Sequence, residues 1–179
     1  MHDLFTAYIQ DADNAEKNFG VAVHYHDIGQ TASAVSFYLR AAERTNDDLL
    51  KYECLIRASM CFDSQGSRGL SVRGLLQHAM SICPKRPEAY YLLSRYYERD
   101  AGSHPNTDPS VEEWFHGYTF ASIGLGICDF DNNPPLRTEI DYSGKNALLF
   151  EKGVCAWWCG LCDESRDIMV YLYHNWHDA

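Results

Sequence analysis

Small and bulky apolar residues follow one another along this chain in a recurring order. Between Asn18 and Ala41, Val21, Ala22 and Tyr25 share one helical face; a turn follows at Gly29-Gln30; then Ala34, Tyr38 and Ala41 share the face of a second helix. Two antiparallel helices approach closely only where small residues sit at the crossing, with aromatics filling the space on either side. The order returns further along. Leu55, Ala58, Ser59 and Phe62 lead through Gly66 to Val72, Leu76 and Ala79, ending at Pro84. Tyr90, Leu93, Ser94 and Tyr97 restate the first half at once. Leu149, Gly153 and Ala156, a turn at Gly160, then Ser165, Met169 and Leu172 restate the whole. The pattern predicts an all-α chain of about four helix pairs, over residues 15–46, 52–84, 87–128 and 146–176.

The spacing is uneven. Pair starts at Ala15, Tyr52, Pro87 and Asn146 lie 37, 35 and 59 residues apart, so the third pair carries insertions. Its first helix is expected to end near Arg99, where the polar, Gly- and Pro-bearing stretch 100–110 begins. Ser110 and Glu113 then offer a capping box, opening a helix through Trp114, Tyr118, Ala121 and Leu125. A second irregular loop, 129–144, precedes the last pair.

Several such pairs in phase resemble the tetratricopeptide repeat, whose unit of about 34 residues carries Trp-x2-Leu-Gly-x2-Tyr, Ala-x3-Phe and Pro. The residues in question are Val21-Ala22-x2-Tyr25, Ala34-x3-Tyr38, Tyr90-x2-Leu93-Ser94-x2-Tyr97, Gly153, Ser165 and Pro84. The resemblance implies a right-handed α-solenoid that binds partner segments on a concave face lined by the first helix of each pair. Carried onto this sequence, that face holds Phe19, Val23 and His26, then Arg57 with Ile56, Met60 and Asp63. The later pairs add Tyr91, Leu92, Arg95, Glu98 and Arg99, then Phe150, Glu151, Val154, Trp157 and Trp158. Arginines and aromatics together are the composition enriched at binding hot spots. Of the adjacent Trp157 and Trp158, one is expected to pack inside. The family's carboxylate-clamp subclass, which uses lysines and asparagines, is not supported, because Phe19 and Val23 occupy its first positions. The segment from Ile140 to Arg166 is also similar to helical repeats found beside glycosyltransferases, including those of marine viruses. It implies an alternative role, an accessory or excised domain of a glycosyltransferase system that recruits an acceptor.

Length and charge narrow the functions. A chain of 179 residues suits a single domain. Fifteen Lys plus Arg against 25 Asp plus Glu leave a net charge of −10 with no basic run, which argues against nucleic acid. No apolar run reaches membrane-spanning length, so no membrane association is expected. Seven cysteines, an odd number set largely within helical patterns, read as reduced thiols. The amino terminus has no basic segment followed by an apolar one. The expected compartment is therefore the cytoplasm, that of a host if the chain is viral.

Candidate chemistry is sparse. Cys159 and Cys162 with His174 and His177 approximate a zinc site, but the gap between the pairs and the His spacing fall outside the usual finger, so two turn cysteines and two surface histidines are expected instead. His24 and His26, two apart on a helix, point away from each other. Asp129 and Asp131 resemble the metal-binding Asp-x-Asp of nucleotide-sugar transferases, yet no alternating strand and helix pattern accompanies them, so a helix-end and loop role is expected. No nucleophile motif or phosphate loop occurs. These features predict a non-enzymatic protein-interaction module without cofactor, whose partner is a protein or peptide. Self-association is a further option, because the terminal Phe5, Tyr8 and Ile9 are not polar.

Overall fold

The computed structural model describes residues 2–102 and 111–176, and the chain divides into two compact units, 1–83 and 84–179. The described residues form nine helices and no strand.

In the first unit, α1 (His2–Gln10) precedes two helix pairs, α2 (Ala15–Asp27) with α3 (Thr31–Arg44), and α4 (Asp48–Gln65) with α5 (Gly69–Ile82). The starts follow local chemistry. The Asn14 side chain accepts the Lys17 N–H at 3.1 Å, and Asp47 accepts that of Leu49 at 2.9 Å, each satisfying a helix N-terminal donor. The turn between α2 and α3 is a Schellman closure: Gly29 adopts φ +76°, and the Gln30 N–H reaches back to the Tyr25 carbonyl at 2.8 Å. Ala22, Ala34, Ala41 and Ala58 are buried where the helices cross, and Phe19, Tyr38, Leu50 and Leu76 fill the space around them. Helix α1 lies outside the repeating pattern. It packs Phe5 edge-on against His24 and Tyr25, and Tyr8 against Phe37, which leaves Phe5 and Tyr8 partly buried and Ile9 exposed.

In the second unit, α6 (Glu88–Gly102) pairs with α7 (Val111–Ile127), and α8 (Lys145–Trp158) pairs with α9 (Cys162–Asn175). Helix α8 packs against both α6 and α7. Serines at the small positions serve the crossings twice over, since each is compact and donates to the facing backbone: Ser94 Oγ to the Gly117 carbonyl at 2.9 Å, and Ser165 Oγ to that of Gly153 at 2.8 Å. The α8–α9 turn repeats the Schellman closure, with Gly160 at φ +79° and the Leu161 N–H on the Ala156 carbonyl at 2.9 Å. Lys152 and the Tyr118 hydroxyl both hold Glu164, at 2.7 and 2.9 Å, which joins α7, α8 and α9.

Details of register differ from the sequence pattern. Helix α4 starts at Asp48, ahead of Tyr52, because Asp47 caps it. Helix α6 continues past Arg99 to Gly102, burying Ala101 against Trp114. In α8 it is Leu148, not Leu149, that is fully buried. The expected capping residue Ser110 lies outside the described residues, as does most of the stretch 100–110. Among the described residues no helix is long and apolar enough to cross a membrane.

Candidate functional site

The site grows from the amino-terminal end of α6. Arg86 and Glu88 form a buried ion pair there, and Arg86 Nη1 also donates to the Pro134 carbonyl at 2.7 Å. The Asp129 N–H donates to the Lys85 carbonyl at 2.9 Å. These bonds fix the 129–144 loop to α6. Asp129 shapes the loop itself: its carboxylate accepts the Asp131 and Asn132 N–H groups at 3.1 and 3.0 Å, an Asx turn, and those donors hold its pKa below the ordinary range. Asp129 and Asp131 are thus loop residues, the role expected from the lack of a strand and helix alternation around them.

From that anchor the loop runs beside the outer turns of α6. The Tyr142 ring meets Tyr91 at 5.1 Å between centroids. Asp141 pairs with Arg95 at 3.0 Å, and Arg95 Nη1 also donates to the Tyr91 hydroxyl at 3.1 Å. Asp141 is the first cause of the raised Arg95 pKa. The loop therefore supplies an internal counter-ion for an arginine of the expected binding face.

A cavity of about 330 Å³ opens beside this contact, between α6 and α8. Tyr91, Arg95 and Glu98 come from α6, Phe150 and Glu151 from α8, and Trp176 follows α9, its ring 5.9 Å from that of Phe150. Glu151 is 7% exposed and makes no hydrogen bond or ion pair with any described residue. Burial first, and the Glu98 carboxylate second, push its pKa up to about 7, against a smaller opposing pull from Arg95 and Arg99. Beneath it on α8, burial pushes the Cys155 thiol up to about 12, so that thiol stays neutral.

Residues of the expected face divide between this cavity and other surroundings. Tyr91, Arg95, Glu98, Phe150 and Glu151 line the cavity, and Arg99 is exposed one turn beyond Arg95, donating to its carbonyl at 3.4 Å. Trp158 lies on a different part of α8, stacked on the buried Trp114 at 5.3 Å. Trp157 and Trp158 are 56% and 53% exposed, so neither of the pair is the buried packing residue expected. The α8–α7 crossing takes Ala156 and Cys155 inward, which swings both indoles to the surface. In the first unit Phe19 is 6% exposed and belongs to the core, against Tyr38. His26 lies half-buried, with Nδ1 3.4 Å from the Tyr38 hydroxyl; burial, then Arg57, lower its pKa. Its neighbour His24 faces Phe5 instead. Arg57 is partly exposed near these groups. No group of three or more metal-ligating side chains gathers among the described residues; Cys159 and Cys162 flank the Gly160 turn, His174 is exposed, and His177 lies outside them. The cysteines are all free thiols.

Trp176 and Asp141 are additions to the expected face. Both lie outside the repeat positions, and only folding brings them to α8 and α6. No protein-family model matches the chain, and no curated protein matches it.

Proposed function

We propose that this chain is a non-enzymatic protein-interaction module built of tetratricopeptide-like helix pairs, binding a partner segment on the face shared by α6 and α8. One observation carries the reading: the first helices of two successive pairs lie side by side and leave an open cavity walled by aromatics, next to Arg95 and Arg99. A preformed cavity on rigid helices costs the protein little ordering entropy on binding. The small residues at the crossings and the recurring Schellman turns support the repeat assignment. Reduced cysteines and an intracellular setting belong to the same reading.

The test is selection of random displayed peptides on the full chain. Enriched peptides should lose at least tenfold in affinity to Phe150→Ala, and their affinity should change at least tenfold under the double charge reversal Arg95→Glu with Arg99→Glu, while far-ultraviolet circular dichroism stays unchanged. Phe150 is substantially exposed, so its truncation costs the fold little. A selection that enriches nothing, or peptides indifferent to both variants, would remove the reading.

A further inference from the structure

The cavity between α6 and α8 holds a carboxyl that no described residue pairs. Glu151 is more than nine-tenths buried, borders the cavity and has no hydrogen-bonding or ionic partner among the described residues. A buried ionised carboxylate needs a partner, because leaving water unpaired is strongly unfavourable for a charge. Three classes of occupant can be compared on the residues present. An anion would meet two carboxylates, Glu98 and Glu151; of the two arginines beside them, Arg95 is already held by Asp141 and the Tyr91 hydroxyl, and Arg99 donates to the Arg95 carbonyl. A neutral apolar group would leave Glu151 as it is. A cation gives Glu151 its missing partner and meets the rings of Tyr91, Phe150 and Trp176, whose faces attract an ammonium. The net charge of −10 draws basic partners to the molecule as a whole.

We propose that this cavity binds the ammonium group of a lysine side chain from a partner segment, with Glu151 as its counter-ion and Tyr91, Phe150 and Trp176 as its walls. The inference rests on the reading of the α6–α8 face as a partner-binding surface, and it names what that surface recognises. The groups facing Glu151 are Tyr91, Arg95, Glu98 and Arg99 from α6 and Cys155 on its own helix, with Asp141 of the loop acting through Arg95. Because Glu151 titrates at about 7, an incoming ammonium displaces a proton, and binding tightens as pH rises.

The experiment is a nuclear magnetic resonance titration of the nitrogen-15-labelled full chain with Nα-acetyl-lysine methylamide, and in parallel with its norleucine analogue. The lysine amide should move the Trp176 indole resonance saturably in the millimolar range and bind about tenfold more tightly at pH 8 than at pH 6. The norleucine analogue should not bind. Glu151→Gln should lose at least tenfold at pH 8 and the pH dependence with it. Should that variant not fold, Glu98→Gln at the cavity wall serves in its place with a several-fold loss. Equal binding of the two analogues, a flat pH profile, an unaffected Glu151→Gln, or no saturation at millimolar lysine amide would each overturn the proposal. Selected peptides that lack basic residues but still need Phe150 would overturn the lysine inference and leave the interaction reading standing. A lysine amide that binds where no peptide does would support the lysine site and remove the interaction reading.

Discussion

At the scale of single residues, Glu151 shows how burial becomes a pH dependence. Its pKa in the fold is raised from the ordinary glutamate range to about 7, so between roughly pH 4.5 and 7 the folded chain keeps a proton that the unfolded chain has lost. Stability contributed at this residue therefore falls as pH rises through that window and is level above it. The full penalty is about 3 kcal/mol. Glu151→Gln, which removes the charge and keeps the shape, should stabilise the second unit by up to that amount at pH 8 and change little near pH 4.5. Urea unfolding followed by tryptophan fluorescence measures it, since Trp114, Trp157, Trp158 and Trp176 all lie in residues 84–179. Equal effects at the two pH values would mean that Glu151 ionises as a solvated glutamate does. The helical phase of the sequence points to Glu151 as a face residue. Its isolation depends on where Ala147, Phe150 and Trp176 come to lie, and no local pattern carries that.

At the scale of elements, α7 offers a comparison within one helix. A Cβ added at Gly124 would sit 2.8 Å from the Tyr90 Cβ and 3.0 Å from Leu148, whereas one added at Gly126 would meet nothing within 4 Å. Gly124→Ala should therefore destabilise by about 1 to 3 kcal/mol through overpacking. Gly126→Ala should stabilise by about 0.5 to 1 kcal/mol through helix propensity alone. Thermal unfolding of the pair checks both signs, and like signs would contradict the close α6–α7–α8 packing. The 129–144 loop makes a different prediction. The Asp141 side chain is 88% exposed in its pair with Arg95, so Asp141→Asn should cost less than about 1 kcal/mol of stability. Its consequence is functional, because it releases Arg95 from its internal counter-ion. An affinity change for α6–α8 ligands without a change in unfolding midpoint is the expected result. The turns at Gly29, Gly66 and Gly160 were legible because each needs a positive φ that glycine adopts without strain. Helix α1 was not, since nine residues with no second copy give a repeat search nothing to match.

At the scale of the whole molecule, charge sets what approaches and packing sets what stays. With a net charge of −10, the affinity of a lysine-bearing peptide should fall several-fold between about 0.05 and 0.5 M salt, mainly through a slower association rate. Stopped-flow binding at the two salt concentrations tests this, and a salt-independent association rate would exclude electrostatic attraction as a factor. The amino-acid order by itself determined the helical class, the four paired segments of small and large residues and the glycine turns, because these follow from periodicity and local backbone preference, which act over one or two helical turns. Tertiary structure alone decided which members of each apolar face are covered. It buried Phe19 and left both Trp157 and Trp158 in solvent; it brought Asp141 to Arg95 across 46 residues of chain and set Trp176 over Phe150. Such contacts depend on the angle and depth at which one helix meets the next. Those are set by the summed packing of many side chains, not by any residue's own neighbours in sequence.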